Sequence, residues 1–164
     1  MQRMLVVGLG ITGRAVATAL QQRDIEVVAL DDQISDELRS WSAENNLLVN
    51  APDDVNLDLL LTQVDGVLPA PGLPDHHPIF AAAAQAKAPI MSEFDLAARW
   101  DDRPAVAITG TDGKTTVVTL VERMLQQSGI AAKAVGNTDT PWVEAIDDPS
   151  TDVFVVEASS FRLS

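Results

Sequence analysis

Two short apolar runs in this chain each break into a glycine loop and resume at helical spacing, and that pattern narrows the possible folds more than any other. The clearer instance is Ala105-Val-Ala-Ile-Thr-Gly-Thr-Asp-Gly-Lys-Thr-Thr116. Ala105 to Ile108 reads as a buried strand, and Val117, Val118, Val121, Met124 and Leu125 recur as one face of a helix. Strand, glycine loop, Lys-Thr, helix is a way to hold a polyphosphate. The glycines let backbone N–H groups converge on phosphate oxygens, and the helix N-terminus adds its partial positive charge. Lys114 can reach the terminal phosphates and the Thr115 hydroxyl can ligate Mg²⁺. Gly110, Thr111, Asp112, Gly113, Lys114, Thr115 and Thr116 are therefore the candidate triphosphate loop, with Lys114 its catalytic cation. The alternative is a plain glycine turn with a lysine on a helix end, which sets a cation against the helix dipole with no anion to meet it. The general pattern G-x-x-x-x-G-K-[ST] wants glycine where this chain has Ile108.

The second instance is Gly8-Leu-Gly10-Ile-Thr-Gly13, which follows the apolar run Met4 to Val7 and opens a helix. It fits G-x-G-x-x-G, and Asp31 stands at the ~20-residue distance expected of a ribose-binding acid. Three readings stay open on these residues: an NAD site, a tight turn without ligand, or a crevice for another diphosphate such as a UDP-sugar. An oxidoreductase has no use for the second loop, whereas a ligase that activates a UDP-linked substrate with ATP uses both.

Between the loops, β-like and helical segments alternate. Met4–Val7, Val27–Leu30, a weak Leu47–Val49, Gly66–Pro69 and Pro89–Met91 read as strands; Arg14–Gln22 and Pro78–Lys87 read as helices. Ser92 to Asp95 resembles a capping box before a helix ending at Trp100. Beyond it, Ala132–Val135 and Val153–Val156 are strands around a short helix opening at Thr140-Pro141. Such alternation implies parallel β-α-β units. The fold expected is α/β: a Rossmann-like doubly wound parallel sheet domain over residues 1–92, then an incomplete P-loop α/β ATPase domain over 93–164.

Composition closes off other classes. Lys and Arg number 11 against 24 Asp and Glu, a net charge of −13, which opposes nonspecific nucleic-acid binding. The acidic pairs Asp53-Asp54, Asp101-Asp102 and Asp147-Asp148 read as solvated loop charge. No run approaches the ~18 apolar residues of a membrane span, and the N-terminus lacks a signal-peptide layout, so a cytoplasmic protein without membrane contact is expected. The absence of cysteine excludes a disulfide framework and thiolate metal sites. His76 and His77 read as exposed loop histidines, and Trp41, Trp100 and Trp142 as packing or partly exposed anchors. Glu157, ending a strand beside the second loop, is either a Mg²⁺ ligand or a solvated strand end.

At this point the chain resembles the Mur ligases, which add amino acids to the UDP-linked precursor of peptidoglycan. The resemblance runs over essentially the whole sequence. It rests on Gly8 to Gly13, Pro71-Gly72 with Pro78, Ser92 to Leu96, Thr109 to Thr116, Gly136-Asn137 and Glu157-Ala-Ser-Ser-Phe161. It implies that Gly10, Ile11 and Thr12 lie against the diphosphate of the UDP substrate and Asp31 against its uracil. It implies that Gly110 to Thr116 wrap the phosphates of ATP, that Thr115 and Glu157 hold Mg²⁺, and that Asn137 and Ser159 contact the muramoyl substrate. UDP-N-acetylmuramoyl-L-alanine and D-glutamate are the implied substrates of a monomeric enzyme, joined through an acyl phosphate. Asp112 stands where the family usually carries Asn. These ligases have three domains, so residues 1–164 alone are expected to lack turnover, whether as part of a ligase or as a non-catalytic nucleotide-binding fragment.

Overall fold

The computed structural model describes residues 2–137 and 139–158. The chain divides into two compact units, Met1–Ser92 and Glu93–Ser164.

In the first unit, β1 (Arg3–Val7), β2 (Glu26–Leu30), β3 (Val49–Asn50) and β4 (Gly66–Pro69) form one parallel sheet in the order β3-β2-β1-β4. The connections are helical: α1 (Ile11–Gln21), α2 (Asp36–Glu44), α3 (Leu57–Leu61) and α4 (Pro78–Ala86). Every strand is parallel to its neighbour, so the inner ones must be apolar on both faces. Met4, Leu5, Val6 and Val7 are accordingly all buried. Leu5, Val7, Leu30, Val67, Ile79 and Ala83 lie in one core cluster with Leu60 and Leu61 of α3.

Several sequence expectations shift here. The first helix starts at Ile11, directly after Gly10, three residues before the expected Arg14. The third strand is Val49–Asn50, because its pairing with β2 (Ala29 with Val49, Leu30 with Asn50) sets its place. Pro89–Met91 makes one isolated bridge, Val67 to Ile90, rather than a strand. Helices α2 and α3 were not anticipated. Each has a side-chain N-cap: Ser35 accepts from the Leu38 N–H at 3.1 Å, and Asn56 from the Leu59 N–H at 3.0 Å.

The second unit comprises α5 (Glu93–Trp100), β5 (Ala105–Ile108), α6 (Lys114–Gln127), β6 (Ala132–Gly136), α7 (Trp142–Ala145) and β7 (Val153–Glu157). Its parallel strands run in the order β5-β7-β6, so β7 lies between the other two. Val118 of α6 packs on Val155 and Ala132, backed by Ile108, Val121 and Leu125. Trp142 is buried between Phe94 and Phe154, with ring centroids 6.0 and 5.9 Å away. Much of β5 and one stripe of α6 remain open: Val106, Val117, Leu120 and Met124 are 45–58% exposed.

Arg103 is a polar staple of this unit. Its guanidinium donates to the carbonyls of Asp148, Thr151 and Ile146, pairs with Asp101, and lies 4.7 Å over the Phe154 ring. Asp101 is therefore not solvated loop charge, since its carboxylate is mostly covered by that ion pair. Asp148 is also engaged, by Ser150 and by Lys133.

Candidate functional site

The first loop is built by close approach. A Cβ on Gly13 would fall 1.9 Å from the carbonyl oxygen of Gly8, so only glycine lets α1 pack onto the strand end. Gly8 has φ +86°. At Gly10 a Cβ would meet nothing within 4 Å, so the loop is open to solvent there. Gly10 is the N-cap of α1 and supplies no side-chain acceptor. Among the described residues, the N–H groups of Ile11 and Thr12 meet no acceptor, the condition in which a helix N-terminus receives an anion. Ile11 beside them is 71% exposed, unusual for a side chain of its size.

Asp31 sets the shape of this loop. One carboxylate oxygen accepts from the Leu9 N–H at 2.6 Å and the other from the Gln33 N–H at 2.8 Å. Next to it, sequence reasoning overlooked a pair. His77 is not a free loop histidine. Its Nδ1 accepts from the Ile79 N–H at 3.2 Å, capping α4, which leaves Nε2 as the protonated nitrogen facing Asp32 at 3.2 Å. His76 is exposed, as expected. Asp32 and His77 border a cleft of about 380 Å³ over the carboxyl ends of β1 and β2, with Val7, Leu30, Ala51 and Pro52 on its walls. The signal was Pro78, whose place at the first helical position marks the residue before it as a cap.

The second site lies in the other unit. Gly110 (φ +155°) and Gly113 (φ +75°) shape the turn between β5 and α6. Gly113 is the N-cap of α6 without a side-chain bond, and among the described residues the N–H groups of Thr111 to Thr116 meet no acceptor. Lys114 curls back, its Nζ donating to the carbonyls of Gly110 at 2.7 Å and Thr111 at 3.3 Å. Asp112 is exposed at the loop tip. Thr115 is itself exposed, but its hydroxyl reaches the end of β7 and donates to Oε2 of Glu157 at 2.7 Å. Asn137 Nδ2 donates to Oε1 of the same carboxylate at 3.2 Å.

Glu157 is 2% exposed, and among the described residues no cation pairs with it. It is a buried acid, which removes the solvated strand-end reading. Thr115, Asn137 and Glu157 thus come together although they are distant in sequence. Ser159 lies outside the described residues. The donor set fits Mg²⁺. Two oxygens ligating one Mg²⁺ at adjacent octahedral positions sit about 2.9 Å apart, close to the Thr115–Glu157 spacing. Among the described residues no three His, Cys, Asp or Glu side chains are grouped so that they could hold a metal ion. An ion held by one carboxylate, one hydroxyl and substrate phosphates needs none.

Parallel sheets fed by glycine loops, one of them ending in Lys-Thr beside a buried strand-end acid, define an α/β protein with two candidate phosphate-binding loops. The sequence matches are more specific. Residues 2–92 match the family model of the Mur ligase MurD-like N-terminal domain, and residues 108–164 that of the Mur ligase middle domain. The chain belongs to the Mur ligase family, and its N-terminal domain is of the MurD-like kind. It is 40% identical over 171 residues to the UDP-N-acetylmuramoylalanine--D-glutamate ligase of Syntrophus aciditrophicus (strain SB), with 99% of this chain and 36% of that protein covered. It is 34% identical over 167 residues to the protein of the same name from Chlamydia trachomatis serovar L2, with 100% and 38% covered. The chain thus spans little more than a third of the length of these relatives. Its fold is shared with the UDP-N-acetylmuramate:L-alanyl-gamma-D-glutamyl-meso-diaminopimelate ligase of Neisseria meningitides (TM-score 0.57, 17% identity, 98% and 55% covered). Membership replaces the oxidoreductase reading of the first glycine loop. Among the described residues no helix is long and apolar enough to cross a membrane.

Proposed function

We propose that this chain supplies the UDP-substrate cradle and the triphosphate site of an ATP-dependent ligase, which joins D-glutamate to UDP-N-acetylmuramoyl-L-alanine in the cytoplasm as a monomer. The observation that carries the reading is the contact of the Thr115 hydroxyl with the buried Glu157 carboxylate, at the uncapped N-terminus of α6.

In this reading the loop Gly110 to Thr116 wraps the phosphates of ATP with its unpaired N–H groups. Lys114 exchanges its two carbonyl partners for phosphate oxygens. Thr115 and Glu157 hold Mg²⁺, which when bound neutralises charge on the β- and γ-phosphates. In the first unit, Gly10, Ile11 and Thr12 receive the substrate diphosphate, and Asp31 fixes that loop at the uracil end. Asn137 and Ser159 serve the muramoyl end.

The chemistry is carbonyl activation followed by amide formation. The L-alanyl carboxylate attacks the γ-phosphorus, the bond to the bridging oxygen breaks, and ADP departs to leave an acyl phosphate. The neutral amine of D-glutamate then attacks the acyl carbon. The tetrahedral intermediate collapses with loss of inorganic phosphate, giving the amide. The task of Lys114 and the loop N–H groups is to meet charge where it accumulates while holding the reacting atoms in line.

Calorimetric titration with MgATP tests the triphosphate site. The chain should bind, and Lys114→Ala should weaken binding about 100-fold, the ~3 kcal/mol typical of leaving a charge without its partner. Equal affinity in both proteins would remove Lys114 from the site. An amide NMR titration with UDP-N-acetylmuramoyl-L-alanine tests the cradle: resonances of Gly8 to Gly13 and Asp31 should shift, and a spectrum that stays still sinks the substrate assignment.

A further inference from the structure

Asn137 follows β6 and faces the end of β7. Its main-chain N–H donates to the Glu157 carbonyl oxygen at 2.9 Å, while its side-chain amide donates to Glu157 Oε1. The approach is tight. A Cβ on Gly136 would lie 2.6 Å from the Glu157 carbonyl oxygen and 3.2 Å from the Phe94 ring, and Gly136 has φ +101°. A glycine in a conformation that L side chains rarely adopt is thus what brings Asn137 against the acid. Thr115 takes the other oxygen.

The Glu157 carboxylate is therefore buried and oriented by two neutral donors of unlike kind. The Thr115 hydroxyl can rotate its proton away and offer a lone pair. The Asn137 amide nitrogen can only donate. The two contacts are not interchangeable: one can convert into a metal corner and the other can only hold.

We infer that Asn137 is a positioning residue for Glu157. It fixes Oε1 so that Oε2 stays aimed at Thr115, and the carboxylate meets the cation of a bound nucleotide through one chosen oxygen. Without this donor the carboxylate turns about its terminal bond, and the Thr115–Glu157 corner loses its spacing. This rests on the reading of that corner as the Mg²⁺ site. It gives the Asn137 nitrogen a task that precedes any substrate, with the side-chain oxygen left for the muramoyl end.

The test is calorimetric titration of the 164-residue chain with ATP, once with Mg²⁺ and once with EDTA. Wild type, Asn137→Ala and Asn137→Leu are compared, the leucine keeping the side-chain volume without a donor. The expected result is unchanged affinity in EDTA for all three proteins. The tightening on adding Mg²⁺ should fall 10- to 100-fold in both variants, the usual cost of removing a group that orients a ligand. Full Mg²⁺-dependent tightening in the variants overturns the proposal. So does an equal loss in EDTA and in Mg²⁺, or a loss of the native circular dichroism spectrum, either of which marks a merely structural residue. If wild type binds ATP but gains nothing from Mg²⁺, the metal corner itself is wrong. If wild type binds no ATP at all, the proposed function fails before Asn137 is reached.

Discussion

At the scale of single residues, the molecule concentrates its demands on a few glycines and one acid. Gly13 has no tolerance for a side chain, because the atom it would strike is a backbone oxygen that cannot rotate away. Gly13→Ala is expected to destabilise the first unit by about 3 kcal/mol or more, at the upper end of overpacking costs. Gly10→Ala, where a Cβ meets nothing, should cost far less. Urea midpoints of the two variants check this pair, and equal losses would mean that the close approach of α1 to the strand end is not what selects glycine. Asp31 shows the opposite economy, one side chain fixing a loop by satisfying two backbone donors on either side of itself. Replacing it removes the loop's geometry before it removes any ligand contact.

At the scale of elements, the second unit depends on the Arg103 staple. It ties the turn before β5 to the segment between α7 and β7, through three carbonyl oxygens that the guanidinium satisfies at once. Arg103→Ala should cost about 3 kcal/mol, since these bonds are charge-assisted and their acceptors are left stranded. The same region sets an acid limit. Hydrogen bonding to Arg103 holds the Asp101 carboxyl below its ordinary range, and Ser150, then Lys133, lower Asp148 to about 2. Both shifts are depressions. The stability they contribute is complete above the unfolded value of about 3.9 and drains away as the pH falls toward the folded values. The advantage of wild type over an Asp101→Asn, Asp148→Asn double variant, read as a urea midpoint on dilute protein, should therefore shrink between pH 4 and pH 2. A constant gap would show that these carboxylates do not drive acid unfolding. What could be read from sequence divides along the same line. Strands β1, β2, β4 and β7 and both glycine loops were legible because each is written in consecutive residues. Helix α2 was missed because Leu38 is its only buried residue, which leaves no stripe to find; its evidence was Ser35 and the acids after it. The place of β3 depends on its partner β2, and the pairing of Asp32 with His77 spans 45 residues. Neither is written locally. Glu157 was found as a strand-end acid, but its two donors, 42 and 20 residues away, were visible only in the fold.

At the scale of the whole molecule, charge and exposed apolar surface act against each other. The net charge of −13 keeps copies apart at neutral pH. The open stripe of Val117, Leu120 and Met124 on α6, and the outward edge of β5 with Val106, favour association. The repulsion is conditional. It vanishes near pH 4.2, where the chain is neutral, and salt shortens its reach from about 10 Å at 0.1 M to about 3 Å at 1 M. The chain should therefore be a clear monomeric solution at low ionic strength and neutral pH, and scatter light as salt is added. Leu120→Glu should suppress that scattering, and no change on this substitution would absolve the stripe. The behaviour is that of a charge-stabilised colloid: dispersion comes from a long-range field, while the short-range forces beneath it are adhesive. Handling conditions that look harmless to the fold, such as a salt gradient or a mildly acidic buffer, would then act first on how many molecules touch, well before they act on how any one of them is folded.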